Sequence, residues 1–186
     1  MTRTALIVAA LSSFLSCADP VLSDQVAAQG PETAGVPVGE LHRAGQPCLT
    51  CHQEGGPASS FPFTLAGTVF AQPLRQIGVE GAEIRITDAG GKQFIKKTNC
   101  VGNFFIKAGE FQPEFPLVVQ VGKGATRAMR SVIGREGSCG GCHSIDLKLG
   151  DPFSQVGHIY LFGGDEPGTP LGAADCKADP KRAGSP

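Results

Sequence analysis

Cys48-Leu49-Thr50-Cys51-His52 and Cys139-Gly140-Gly141-Cys142-His143 are two copies of one pentapeptide, Cys-x-x-Cys-His. That spacing is the attachment signature of c-type haem. The two thiols of each copy can each add to one haem vinyl group and form a thioether. The histidine directly after the second thiol is then held beneath the iron as its proximal ligand. Four thiols also suit a structural zinc site or two short-loop disulfides. Neither alternative explains why a histidine follows both pairs. The expected cofactors are therefore two covalently attached haem c groups. Cys48, Cys51, Cys139 and Cys142 are the thioether positions, and His52 and His143 are the iron ligands.

The sixth ligand of each iron decides what such a protein does. The chain has only four histidines. Two lie inside the motifs, and the others are His42, ahead of Cys48, and His158, after His143. Bis-histidine ligation of two irons needs four, which makes His42 the expected distal ligand of the first and His158 of the second. The pairing can also be crossed, or made between subunits. Met129 competes, because histidine–methionine ligation is common in c-type cytochromes and raises the potential. An iron with both axial positions filled has no place for a substrate. The expectation is one-electron transfer rather than enzyme catalysis. A dihaem peroxidase-type enzyme is the first alternative, and a surface binding or structural module is the second. Redox proteins or an extracellular electron acceptor are the expected partners.

The amino terminus places this chemistry outside the cytoplasm. Arg3 precedes a short apolar or small-residue run, Ala5 to Leu15. The run is too short to span a bilayer and has the form of a secretory signal. Phe14-Leu15-Ser16-Cys17 looks like a bacterial lipobox, with phenylalanine in place of the commoner leucine. Lipidation at Cys17 would make the chain a membrane-anchored lipoprotein; cleavage after Ala18 is the other option. Of the seven cysteines, Cys17 and the four motif thiols leave Cys100 and Cys176. In an oxidising compartment these pair most simply with each other. Closing that loop stabilises by about 4 kcal/mol in the chain-entropy model; two unpaired thiols are the alternative.

Composition limits the scaffold. The chain has 186 residues, 26 glycines, 14 prolines, one tyrosine and no tryptophan, which describes a turn-rich fold with a thin aromatic core. Covalent haem would add apolar surface to such a core. The net charge of −1, without a basic run, excludes an electrostatic nucleic-acid footprint. Between the motifs the pattern is short β-branched and alternating runs divided by glycine. Gly67 to Ala71, Ala82 to Thr87, Lys92 to Thr98, Phe104 to Ile106, Leu117 to Val121 and Arg127 to Ile133 are the expected strands. Asp88-Ala89-Gly90-Gly91 is a hairpin turn signal. No segment shows helical periodicity.

Gly67-Thr68-Val69, Gly81-Ala82-Glu83-Ile84-Arg85-Ile86 and Thr98-Asn99-Cys100-Val101-Gly102-Asn103-Phe104 together resemble the carboxypeptidase regulatory-like domain. The resemblance covers about residues 65 to 133 and implies a transthyretin-like β-sandwich of structural or adhesive use, without catalytic residues. Cys100 stands where that pattern more often has a small or acidic residue. The whole arrangement resembles exported cytochrome-like proteins of some Gram-negative bacteria, which implies a periplasmic, outer-membrane or cell-surface lipoprotein. The expected fold class is mainly β, a small transthyretin/immunoglobulin-like sandwich flanked by two haem-binding segments. The expected organisation is a signal peptide at 1–16, a flexible tether at 17–46 and a first haem-binding segment at 47–62. The sandwich follows at 63–134, then the second haem-binding segment and final strand at 135–162, and a flexible tail at 163–186.

Overall fold

The computed structural model describes residues 19–36, 38–72, 75–143, 157–161 and 176. The expected signal peptide, Cys17 and most of the tail lie outside the described residues. The fold is mainly β, with two sheets and few helices. Its strands are β1 (Phe63–Gln72), β2 (Arg75–Gly78), β3 (Glu83–Thr87), β4 (Gln93–Lys97), β5 (Asn103–Lys107), β6 (Val118–Lys123), β7 (Ala125–Ala128), β8 (Gly137–Ser138) and β9 (Ile159–Tyr160).

One sheet has the order β4-β3-β6-β7, all antiparallel. In β3 the alternation expected from sequence holds, with Ile84 and Ile86 buried and Arg85 exposed. The Asp88 turn closes the β3–β4 hairpin, where Lys92 N donates to Asp88 Oδ1 at 2.8 Å. Ile84, Ile86, Val119 and Val121 of this sheet share one apolar core with Leu65, Val69, Phe104 and Ile106 of the other.

The second sheet is built around β1, the longest strand. Leu65 pairs with Ile106 of β5 on one edge and with Gly137 of β8 on the other. Further along, Phe70 pairs with Gly78 of β2 and with Tyr160 of β9. The strands β8 and β9 run parallel to β1. This matters for function because β8 leads directly into the second pentapeptide, while β9 directly follows His158. The first pentapeptide lies just ahead of β1 itself. One strand thus gathers both motifs.

The segment ahead of the first pentapeptide departs from the sequence expectation. Residues 17–46, expected as a flexible tether, contain over their described part a helix, α1 (Pro20–Ala28), and a series of turns. α1 buries none of its residues, so no hydrophobic period betrays it. It is specified by its ends. Asp19 Oδ1 accepts from Val21 N at 2.9 Å and Leu22 N at 3.3 Å, and Pro20 opens the first turn. At the other end Arg43 donates to the carbonyls of Gln29 and Gly30. The pentapeptides themselves are short helical turns. Cys48–Thr50 is a 3-10 turn, and Cys139–Cys142 forms α2.

Candidate functional site

Each pentapeptide presents its histidine in the same way. His52 Nδ1 donates to the carbonyl of Phe61 at 2.8 Å, and His143 Nδ1 donates to the carbonyl of Gly157 at 2.8 Å. A carbonyl can only accept, so each Nδ1 carries a proton and Nε2 is the ring nitrogen not used by that bond. A backbone carbonyl holding one imidazole nitrogen is the usual outer partner of a metal-ligating histidine. Phe63 stacks on the His52 ring at 4.0 Å and is itself stacked on Phe105 at 5.0 Å, which fixes the plane of that imidazole.

His42 faces His52, with ring centroids 6.1 Å apart. Two imidazoles binding one ion from opposite sides, at about 2 Å per nitrogen, place their centroids about 6 Å apart. The loop carrying His42 is held by a buried polar network. Asn103 Nδ2 donates to the carbonyls of His42 (3.0 Å) and Glu40 (3.2 Å), and Asn99 Nδ2 to that of Glu40 (2.8 Å). Thr68 Oγ1 donates to Asn103 Oδ1 at 2.7 Å and accepts from Gly45 N at 2.8 Å. Arg43, with φ of 49°, is held in the left-handed region by Glu32 Oε1 at 2.8 Å and Gln46 Oε1 at 2.7 Å. Burial lowers the pKa of His42, although Glu32 opposes this from 3.7 Å.

The second constellation lines a mostly apolar cavity of about 770 Å3 that includes Cys139, Cys142, His143, His158 and Met129. Ile84 and Val121 of one sheet and Phe104 of the other also line it, so it opens into the core between the sheets. Volumes of about 300–1,000 Å3 are those of ligand and cofactor pockets. His158 is buried, and its Nε2 has no hydrogen-bond partner. Burial lowers its pKa, opposed by the backbone of His143. Phe70 packs against the ring at 4.6 Å.

Burial disfavours the thiolate at three of the four motif cysteines. Burial pushes Cys48 up to about 11 and Cys139 up to about 12, and Cys48 contributes to the rise at Cys139. Burial raises Cys51 as well. Zinc needs thiolates grouped around one point. Among the described residues no three His, Cys, Asp or Glu side chains form such a group.

The expected site residues therefore fall into two sets, Cys48, Cys51, His52 and His42 in one, Cys139, Cys142, His143, His158 and Met129 in the other. Cys100 and Cys176 form a disulfide with Cα atoms 6.0 Å apart, buried beside Leu41, Ala44 and Val101. Sequence reasoning missed Thr68, Asn99, Asn103 and Phe63, which position His42 and His52. The two asparagines bracketing Cys100-Val101-Gly102 were the available signal. Gly102, with φ of 82°, closes that turn where a Cβ would stand 2.2 Å from the Val69 carbonyl. No protein-family model, no curated protein and no solved structure matches the chain.

Proposed function

We propose that this chain is an exported dihaem c-type cytochrome, a one-electron carrier built on a transthyretin-like β-sandwich. The observation that carries the reading is the pair of pentapeptide histidines whose Nδ1 is bonded to a backbone carbonyl, which leaves Nε2 as the nitrogen for an iron. The fit continues around them. His42 stands opposite His52, and the buried, unpartnered Nε2 of His158 belongs to the lining of an apolar cavity beside Cys139 and His143.

Cys48 and Cys51 would hold one haem with His52 and His42, and Cys139 and Cys142 the other with His143 and His158. When bound, each group supplies an iron that accepts and returns one electron. The chain's part is to keep the ligands still. Phe61 and Gly157 fix the two proximal rings, and the Asn103–Thr68 network fixes the His42 loop. Ile84, Phe104 and Val121 give the second cavity an apolar wall. Low solvent access and fixed ligands both tune the potential and limit rearrangement on electron transfer. Filled axial positions favour a carrier over a peroxidase. Met129 lines the same cavity as His158 and is the competing ligand there.

The test is the intact mass and absorption spectrum of protein exported from a host competent in haem attachment. Two haem masses and a reduced low-spin c-type spectrum are expected. His158→Ala should make one of the two irons high-spin, whereas Met129→Leu should leave both low-spin. Protein carrying zinc, or no haem, overturns the proposal.

A further inference from the structure

We infer that the stretch from Arg127 to Arg135 is a docking surface for an acidic protein. It presents three guanidinium groups around one exposed aliphatic side chain. The inference goes beyond the carrier reading and does not depend on it, since it stands on charge, exposure and backbone geometry.

Between Glu114 and Glu136 the chain has four cations, Lys123, Arg127, Arg130 and Arg135, and no acid. The whole chain carries −1, so everything outside this stretch sums to −5. An otherwise acidic protein thus has one positive pole. Arg130 and Arg135 are exposed, and among the described residues neither makes a hydrogen bond or an ion pair. Arg127 is engaged through Nε, by the Leu161 carbonyl at 2.7 Å. The nearby acids face elsewhere. Glu136 turns toward Gly141, with Oε1 3.2 Å from where a Cβ on that glycine would stand. Glu83, on the sheet that carries Arg127, is held by Arg85 at 3.0 Å and by Lys97 at 3.9 Å.

The backbone that displays these charges is pinned at three points. Met129 N donates to the Val119 carbonyl at 3.1 Å, and Ile133 exchanges two hydrogen bonds with Leu117, each of 2.9 Å. Gly137 of β8 then pairs with Leu65 of β1. Arg130, Ser131 and Val132 stand out between the first two anchors, and Arg135 between the last two. A surface fixed before binding loses less conformational entropy on binding. Val132 is 56% exposed in the midst of the arginines. Arg127, Arg130, Val132 and Arg135 all line the second cavity, which places them on one face.

An apolar centre with arginine and methionine about it is the composition of a protein interface. Guanidinium forks suit carboxylates in two-point contact. An anionic bilayer suits this surface less. Its extended negative plane would also oppose the −5 remainder of the chain, whereas an acidic protein can match the one positive face.

The test uses the full protein and two fluorescein-labelled peptides, followed by fluorescence anisotropy. One peptide is Glu-Asp-Glu-Leu-Asp-Glu-Asp, and the other has lysine at every acidic position. The acidic peptide should bind and the lysine peptide should not. Raising salt from about 0.01 M to about 0.1 M shortens the screening length from about 30 Å to about 10 Å and should weaken binding. Arg130→Ala/Arg135→Ala should lose about tenfold in affinity with its Tm unchanged. Lys97→Ala/Lys107→Ala, which removes the same charge from β4 and β5, should lose less than about twofold. Val132→Ser should weaken binding without altering its salt dependence. Arg130→Glu/Arg135→Glu should transfer binding to the lysine peptide. If the arginine variants do not fold, the two peptides and the salt dependence decide.

The inference is overturned if the acidic peptide does not bind, or if both alanine double variants lose affinity equally. It is overturned too if phosphatidylglycerol vesicles bind through these arginines and the peptide does not. A changed absorption spectrum in Arg130→Ala/Arg135→Ala with peptide binding intact has the same force, because the arginines then serve the cavity. Haem content is read separately by intact mass, so failure here leaves the carrier reading standing.

Discussion

Cys100 and Cys176 are 76 residues apart in sequence, and their bond closes a loop that contains β5 to β9 and the whole second pentapeptide. In the chain-entropy model a loop of that length restricts the unfolded chain by about 4.5 kcal/mol at 25 °C. Total stabilities of single domains are about 5–15 kcal/mol, so the bond accounts for a large share. The perturbation is Cys100→Ala/Cys176→Ala. Alanine is preferable to serine because both positions are fully buried, and a hydroxyl there would be left without a partner. With a urea slope of about 2 kcal/mol/M, the unfolding midpoint should fall by about 2 M. At about 2–4 °C per kcal/mol, the Tm should fall by about 10–15 °C. Urea unfolding of wild type, reduced wild type and the double variant separates the cross-link from the packing of the sulfurs. The bond also packs against Leu41 and Ala44, which flank His42. Its loss should therefore broaden the spectrum of the first site before that of the second. A drop below about 1 kcal/mol, with the wild-type bond proven intact by thiol titration, would refute the argument from loop closure.

Asn103→Ala strips hydrogen bonds from Thr68 and from the carbonyls of Glu40 and His42. Chemical denaturation should show a loss of about 3 kcal/mol, and the absorption change should be confined to the first site. Gly67→Ala drives a methyl group into Cys139. Overpacking of about 1–3 kcal/mol should appear, and intact mass should show a one-haem species retaining the first site. Glu110 accepts from Lys107 N at 2.8 Å and from Lys96 at 3.0 Å, and the Lys107 amide foremost lowers its carboxyl below the ordinary 4.5. A carboxylate with a lowered native pKa stabilises at higher pH and loses that contribution as pH falls through its titration. Glu110→Gln should thus cost less than about 1 kcal/mol at neutral pH, since the pair is solvent-screened, and nothing in strong acid. Tm measured from neutral pH downward checks this, and a gap that widens in acid would contradict it.

The proposed chemistry is read from the chain because it depends on covalent order. Two thiols and a histidine at fixed spacing need no fold to be recognised, and a count of four histidines restricts the ligand sets. The alternation of Glu83 to Thr87 and the Asp88 turn were likewise local, and β3 and its hairpin follow from them. The helix α1 escaped notice because its signal is Asp19-Pro20 and an Arg43 cap, without any apolar stripe. Long-range placement was beyond the sequence. That β8 and β9 both lie parallel to β1, bringing the second motif and His158 to the same strand, depends on pairings across up to 90 residues between Val69 and Ile159. Local propensity carries no record of such partners. Similarly, Gly140 reads in sequence as an arbitrary middle residue of a pentapeptide. Only the packed structure makes it the contact with Gln46 and Pro47, because close backbone approach is a property of two distant segments together. The sequence by itself determined which atoms are candidates to hold the proposed cofactors. The tertiary structure decided that the two sets of atoms are neighbours.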